Sequence, residues 1–195
     1  MSWNRRRVLQ AGGALAGVSA AALLTRAAMG KDTGAAHRAV PGKVAPRDGR
    51  IALLNLHTDE RLEIEYSRDG AYVPEALLKI EVLLRDFRNG ERHVIDPSLM
   101  DYLVEVAHTL GADPSFSVIS GYRSPQTNAV LHEKSAGVAQ HSLHMEGRAI
   151  DVRLTGINCD NLAGHAEALK RGGVGYYRSS NFVHLDTGAF RTWKG

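Results

Sequence analysis

Two rhythms of apolar positions run through the chain beyond residue 50. Ile51-Ala52-Leu53-Leu54-Asn55-Leu56 and Leu62-Glu63-Ile64-Glu65-Tyr66 are short apolar runs on either side of His57-Thr58-Asp59-Glu60, which predicts a hairpin of two strands. Pro74 sits where the first turn of a helix tolerates it, and Leu77, Leu78, Ile80, Leu83, Leu84 and Phe87 recur at helical spacing up to Asn89-Gly90. A second helix is predicted from about Pro97 to Leu110, with Leu99, Leu103, Val104, Val106 and Ala107 inside and Gly111 as its stop. Phe116 to Ser120 predicts a short strand, and Ser124-Pro125 opens a helix that runs to about Lys134. Ile150 to Leu154 predicts another strand, Asn161 to Arg171 a helix ended by Gly172-Gly173, and Val174 to Tyr177 with Phe182 to Asp186 a closing strand pair. Helices that precede and interrupt mainly antiparallel strands predict the α+β class: one domain, with a central sheet and flanking helices.

The N-terminal fifty residues have neither rhythm. Residues 31–49 mix Lys, Asp, Thr, Gly, Ala, Pro and Arg and read as a linker, so the domain is expected to span residues 50–195. Residues 1–30 read as an address. Asn4-Arg5-Arg6-Arg7-Val8-Leu9-Gln10 resembles a twin-arginine export signal, and the bland stretch Ala11 to Leu24 is too short for a comfortable membrane span. The resemblance implies the twin-arginine export machinery as a partner and the bacterial periplasm as destination. Membrane attachment then follows only if the segment is retained as an anchor.

That segment also distorts the charge. The formal net charge is +3, yet Arg5, Arg6, Arg7 and Arg26 all precede the first acid; the remainder carries 20 basic against 21 acidic residues, a balance of −1. Near-neutrality gives no support for nucleic-acid binding. Cys159 stands alone, so no intramolecular disulfide forms and packing or a metal must hold the fold.

Chemistry concentrates in "HSLHMEGRAIDVRL", residues 141–154. Alternation in this strand puts Ala149, Asp151 and Arg153 on one face and Ile150, Val152 and Leu154 on the other. His144 lies seven positions before Asp151, roughly 23 Å if fully extended, so the two converge only through a turn, which Gly147 permits. In Asn181-Phe182-Val183-His184-Leu185-Asp186, His184 and Asp186 share a face. Two histidines and a carboxylate, with a fourth position left for water, are a common zinc arrangement. Spacing alone leaves both a metal site and chance pairing open, because the chain has nine histidines.

Ser142, His144, Gly147, Ala149 and Asp151 match the Ser-x-His-x-x-Gly-x-Ala-x-Asp motif, and the chain resembles the zinc D,D-carboxypeptidase and dipeptidase family. Gly121-Tyr122-Arg123-Ser124 is similar to that family's Tyr-Arg-Ser segment and Phe182 to Asp186 to its second histidine strand. The stretch from Arg50 to Trp193 is most similar to its periplasmic murein endopeptidase branch. The resemblance implies a zinc site on the sheet, with His144, Asp151 and His184 as Zn2+ ligands. It also implies that Arg123 contacts substrate and stabilises developing negative charge, a role suited to its permanent cation and forked donors. One departure matters: the carboxypeptidases and dipeptidases place a basic glutamate three residues before the second histidine, where this chain has Asn181. Asp186 is then the first candidate for general base, or else it orients a ligand imidazole. His141 and Glu146 rank behind it, and His57, His93, His108, His132 and His165 have no motif around them.

These features lead to an exported zinc peptidase acting on peptidoglycan stem peptides or cross-links. Two rival readings are a carboxypeptidase that trims terminal D-alanine and, because of Asn181, a zinc-stabilised murein-binding module without turnover.

Overall fold

A computed structural model describes residue 46 and residues 48–134 and 138–195. The expected export signal, residues 1–30, and nearly all of the expected linker, residues 31–49, lie outside the described residues. Strand β1 (Asp48–Asn55) pairs antiparallel with β2 (Arg61–Arg68), which carries the two-residue edge strand β3 (Ala71–Tyr72). Helices α1 (Pro74–Leu83) and α2 (Pro97–Thr109) follow, then β4 (Ser115–Ser120), α3 (Pro125–Lys134), β5 (Ala149–Leu154), α4 (Cys159–Leu169), β6 (Gly173–Tyr177), β7 (Phe182–Asp186) and β8 (Arg191–Lys194). Among the described residues, the eight strands form one sheet in the order β3-β2-β1-β4-β5-β7-β6-β8. Only β1 with β4 and β6 with β8 run parallel, so the expected α+β class, mainly antiparallel, is the one found. No helix among the described residues is long and apolar enough to cross a membrane.

The core lies on one face of this sheet. Ile150, Val152 and Leu154 of β5 and Val183 and Leu185 of β7 are buried in one cluster with Leu99, Leu103 and Val106 of α2 and Leu162 and Ala166 of α4. Full burial of each such side chain stabilises the fold by about 1.5–3 kcal/mol. The apolar phase of β5 is thus spent on the helices, and the alternate phase carries Asp151 to the opposite face.

Several boundaries differ from those the sequence predicts, and three of the differences have a clear physical cause. Helix α1 ends at Leu83 and does not continue to Asn89, because carbonyls at its end are captured from elsewhere: Asn55 Nδ2 donates to Leu83 O at 3.0 Å and Tyr122 N to Leu84 O at 2.7 Å. Strand β1 begins at Asp48, where Asp48 and Gly49 already pair with Arg68 and Ser67. Helix α4 begins two residues before Asn161 because the Asn158 side chain caps it, accepting from Asn161 N at 2.8 Å. Strands β3 and β8 had no counterpart in the apolar pattern.

Candidate metal centre

A single rung of the sheet supplies most of the site. In the strand registers Ser120 of β4 opposes Asp151 of β5, Asp151 opposes His184 of β7, His184 opposes Gly175 of β6, and Gly175 opposes Trp193 of β8. These residues therefore point to one face. A β-carbon on Gly175 would collide with the Trp193 ring. With hydrogen there instead, the indole crosses the gap and its centroid lies 5.1 Å from that of His184.

His144 arrives from outside the sheet, on a 3-10 turn (Leu143–Glu146) capped by Ser142. Gly147 ends that turn in the left-handed region, at φ 65°, and a β-carbon there would run into the Val94 carbonyl. The predicted turn thus brings His144 and Asp151 together. His144 Nε2 lies 3.3 Å and His184 Nδ1 3.0 Å from Asp151 Oδ1, and the two nitrogens are 3.2 Å apart. Among the described residues this is the one His, Asp, Glu and Cys cluster compact enough to hold an ion.

The remaining nitrogens decide what the cluster can do. His144 Nδ1 lies 2.7 Å from Gly121 O, and a carbonyl can only accept, so that nitrogen carries the proton and Nε2 presents a lone pair. His184 Nε2 lies 3.0 Å from Asp186 Oδ2, which by the same logic leaves a lone pair on Nδ1. Two lone pairs and a carboxylate oxygen therefore converge in a buried space, with no proton between them when both rings are neutral. A cation satisfies all three, and two imidazoles with one carboxylate suit zinc, with a fourth position left over. Without metal a proton does part of that work. Burial pushes His184 down, but hydrogen bonds to Asp151 and Asp186 outweigh it and raise the ring to about 9. Burial pushes His144 down against the pull of Asp151. For Asp151, burial is overcome by the His144 charge and by hydrogen bonds to both rings, which hold it well below the usual carboxylate range.

Asp186 lies beneath His184 and is fully buried. Its Oδ2 accepts from His184 and from Arg191 Nη2 at 2.7 Å; its Oδ1 accepts from Gly173 N at 3.0 Å, Gly188 N at 2.8 Å and Arg191 Nη1 at 3.1 Å. Burial would raise its pKa, but these partners, His184 first among them, keep it well below normal. It does not line the cavity above the site. Gly173 could bear no β-carbon there, since Asp186 Oδ2 occupies the space.

That cavity has a volume of about 450 Å³. Arg123 lines one side of it, on the loop that follows β4. Tyr122 N donates to Leu84 O, Arg123 N to His144 O at 3.2 Å, and both Ser124 N and Ser124 Oγ to the buried Asp86 Oδ2, at 3.0 and 2.8 Å. The guanidinium itself is lightly used: Nη1 donates to Asn128 Oδ1 at 3.3 Å, Nη2 lies 3.8 Å from Asp151 Oδ2, and Nε is buried with no partner. Tyr177, Phe182 and Trp193 form an aromatic wall, with Tyr177 stacked on Phe182 and its hydroxyl accepting from Trp193 Nε1 at 3.0 Å. His141 also lines the cavity. Glu146 and Asn181 do not: Glu146 is exposed and paired with Arg148 at 3.1 Å, and Asn181 occupies the exposed turn between β6 and β7 with φ 51°. His57, His93 and His165 make contacts away from the cavity, and His132, itself not a lining residue, bonds to Val138 O on its wall. Arg191 and Trp193 were missing from the sequence reading, because β8 carries no apolar alternation to announce it.

Converging acceptors suited to a cation, beside a buried arginine whose Nε has no partner, are an arrangement that metal-dependent hydrolysis can use. The chain belongs to the M15 peptidases: the family described as peptidoglycan L,D-endopeptidase MepK matches residues 43–193. It is 40% identical to the peptidoglycan L,D-endopeptidase MepK of Escherichia coli K12, over 97% of each chain. It is 42% identical to the probable peptidoglycan L,D-endopeptidase MepK of Haemophilus influenzae, over 77% of this chain and 81% of that protein. No solved structure gives a significant match.

Proposed function

We propose that the protein is an exported, zinc-dependent peptidoglycan endopeptidase that hydrolyses an amide bond in murein stem peptides or cross-links. The names of its relatives favour an L,D bond. The observation that carries the reading is the set of three buried acceptors, His144 Nε2, His184 Nδ1 and Asp151 Oδ1, with the outer nitrogen of each histidine engaged by Gly121 O or Asp186. A zinc ion held there would supply Lewis acidity, polarising the scissile carbonyl and making water nucleophilic near neutral pH.

The chain's own groups supply the rest. Arg123, held by its backbone and short of partners at its guanidinium, receives the carbonyl oxygen as it gains negative charge. Asp186 orients His184 by accepting its Nε2 proton, and in this reading it is not the base: it is enclosed, and each of its oxygens already accepts at least two hydrogen bonds. Export to the periplasm by the twin-arginine route rests on Asn4 to Gln10.

The test is to incubate the full chain with murein sacculi, with and without chelator, and to separate the muropeptides by chromatography and mass spectrometry. Chelator-sensitive loss of cross-linked species is expected. Release of terminal alanine alone would replace this reading with a carboxypeptidase, and intact sacculi despite bound zinc would replace it with a binding module.

A further inference from the structure

Hydrolysis of an amide needs a group that takes a proton from the attacking water, and the position where the resemblance to carboxypeptidases and dipeptidases leads one to expect a basic carboxylate holds Asn181, an amide on an exposed turn that does not line the cavity. The cavity wall narrows the choice. Asp151, His144 and His184 are committed to the ion, and Arg123 and Arg191 are cations with no lone pair to offer. The Tyr177 hydroxyl already accepts from Trp193 Nε1. Ser142 and Ser180 are hydroxyls, too weakly basic for the task. Among the described residues that line the cavity, one basic side chain remains. His141, three residues ahead of His144, is an exposed residue on that wall.

The segment before His141 is tied down. Asn128 of α3 is buried, and its Nδ2 donates to Ala139 O at 3.1 Å and to Gln140 O at 3.2 Å. His132 Nδ1 donates to Val138 O at 2.6 Å. The Oδ1 of the same Asn128 accepts from Arg123 Nη1. One buried amide thus fixes Arg123 and the chain leading into His141 relative to each other.

We infer that His141 is the proton acceptor of the reaction, on the same cavity as Arg123 and tied to it through Asn128. This rests on the endopeptidase reading above. The water oxygen bonds to the scissile carbonyl carbon as one water proton passes to the free ring nitrogen of His141. The carbon–nitrogen bond then breaks, its electron pair stays on nitrogen, and His141 returns the proton to that nitrogen. The products are a carboxylate and an amine, the acid proton having passed to the amine or to solvent, and His141 regains its starting state.

The test uses the full chain with His141→Ala and His141→Gln, zinc content by mass spectrometry, muropeptide turnover, and added imidazole. Loss of a proton acceptor predicts a fall in kcat of about 10²–10⁴-fold in both variants, with zinc content and KM close to wild type. Imidazole should restore part of the rate to His141→Ala and none to Arg123→Ala. Turnover near the wild-type rate in either variant overturns the inference, as does a parallel loss of zinc, which would make His141 a ligand. Failure of imidazole to restore any rate to His141→Ala also counts against it. Wild-type protein with no chelator-sensitive hydrolysis would instead sink the endopeptidase reading, so the two failures are separable.

Discussion

A ring nitrogen of His184 that must donate to Asp186 leaves the other as a lone pair facing Asp151 and His144, so the carboxylate below sets what the imidazole offers above. Asp186→Asn replaces a charged acceptor with an amide that has to orient correctly and leaves Arg191 without its ion-pair partner. Metal affinity should fall by about 10–100-fold while the fold persists; a chromophoric chelator competition and far-UV circular dichroism read the two separately. Proton and metal also compete for His184 Nδ1. The metal-free ring titrates at about 9, so below that pH the ring holds a proton that binding must expel. The sign follows: affinity rises with pH, by about tenfold per unit between roughly pH 6.5 and 9, and levels off above. His144 adds no second proton over this window because its own pKa is lowered. A flat titration across the same range would remove His184 from the ligand set.

At the level of elements, the site depends on one turn and one rung. Gly147 combines φ 65° with a neighbouring Val94 carbonyl, so Gly147→Ala meets both backbone strain and a clash, whereas Gly156, at φ 77°, has open space around it. Gly147→Ala is expected to cost roughly 2–4 kcal/mol in denaturant unfolding and to weaken metal binding through His144, against about 1 kcal/mol and no change in binding for Gly156→Ala. Equal effects from the two would show that the Val94 contact does not matter. The same contrast explains what was legible. Helix α2 was visible because Leu99, Leu103 and Val106 keep helical spacing and stay buried, and the clustering of His144, Asp151 and His184 could be anticipated because the first two share a motif and the third lies in a strand similar to a known histidine strand. The end of α1 was hidden because the groups that capture its carbonyls, Asn55 and Tyr122, are distant in sequence. Strand β8 was hidden because, at the sheet edge, its Arg191, Thr192 and Lys194 are exposed and only Trp193 is partly buried. The surroundings of Asp186 were hidden with it, since Gly173, Gly188 and Arg191 meet the carboxylate only once β6, β7 and β8 align.

At the scale of the whole described domain, the apolar core and the candidate metal centre occupy opposite faces of one sheet, and they should therefore contribute separately to stability. Leu99, Leu103, Ile150, Val152, Leu162 and Val183 pack without help from the ion, so removing metal should leave secondary structure intact. An ion held by His144, Asp151 and His184 would act on the native state alone, joining β5, β7 and the turn before β5. With free zinc at about 100 times its dissociation constant, the added stability is about 2.7 kcal/mol, which for a domain of this size corresponds to roughly 5–11 °C in Tm. Calorimetry of wild type and His144→Ala, each with zinc and with chelator, checks both halves of the argument. The expected pattern is a chelator-induced drop in wild type alone, with His144→Ala lying near the chelated wild type in both conditions. Loss of helical signal on chelation at room temperature would mean instead that the ion completes a core too weak to stand without it.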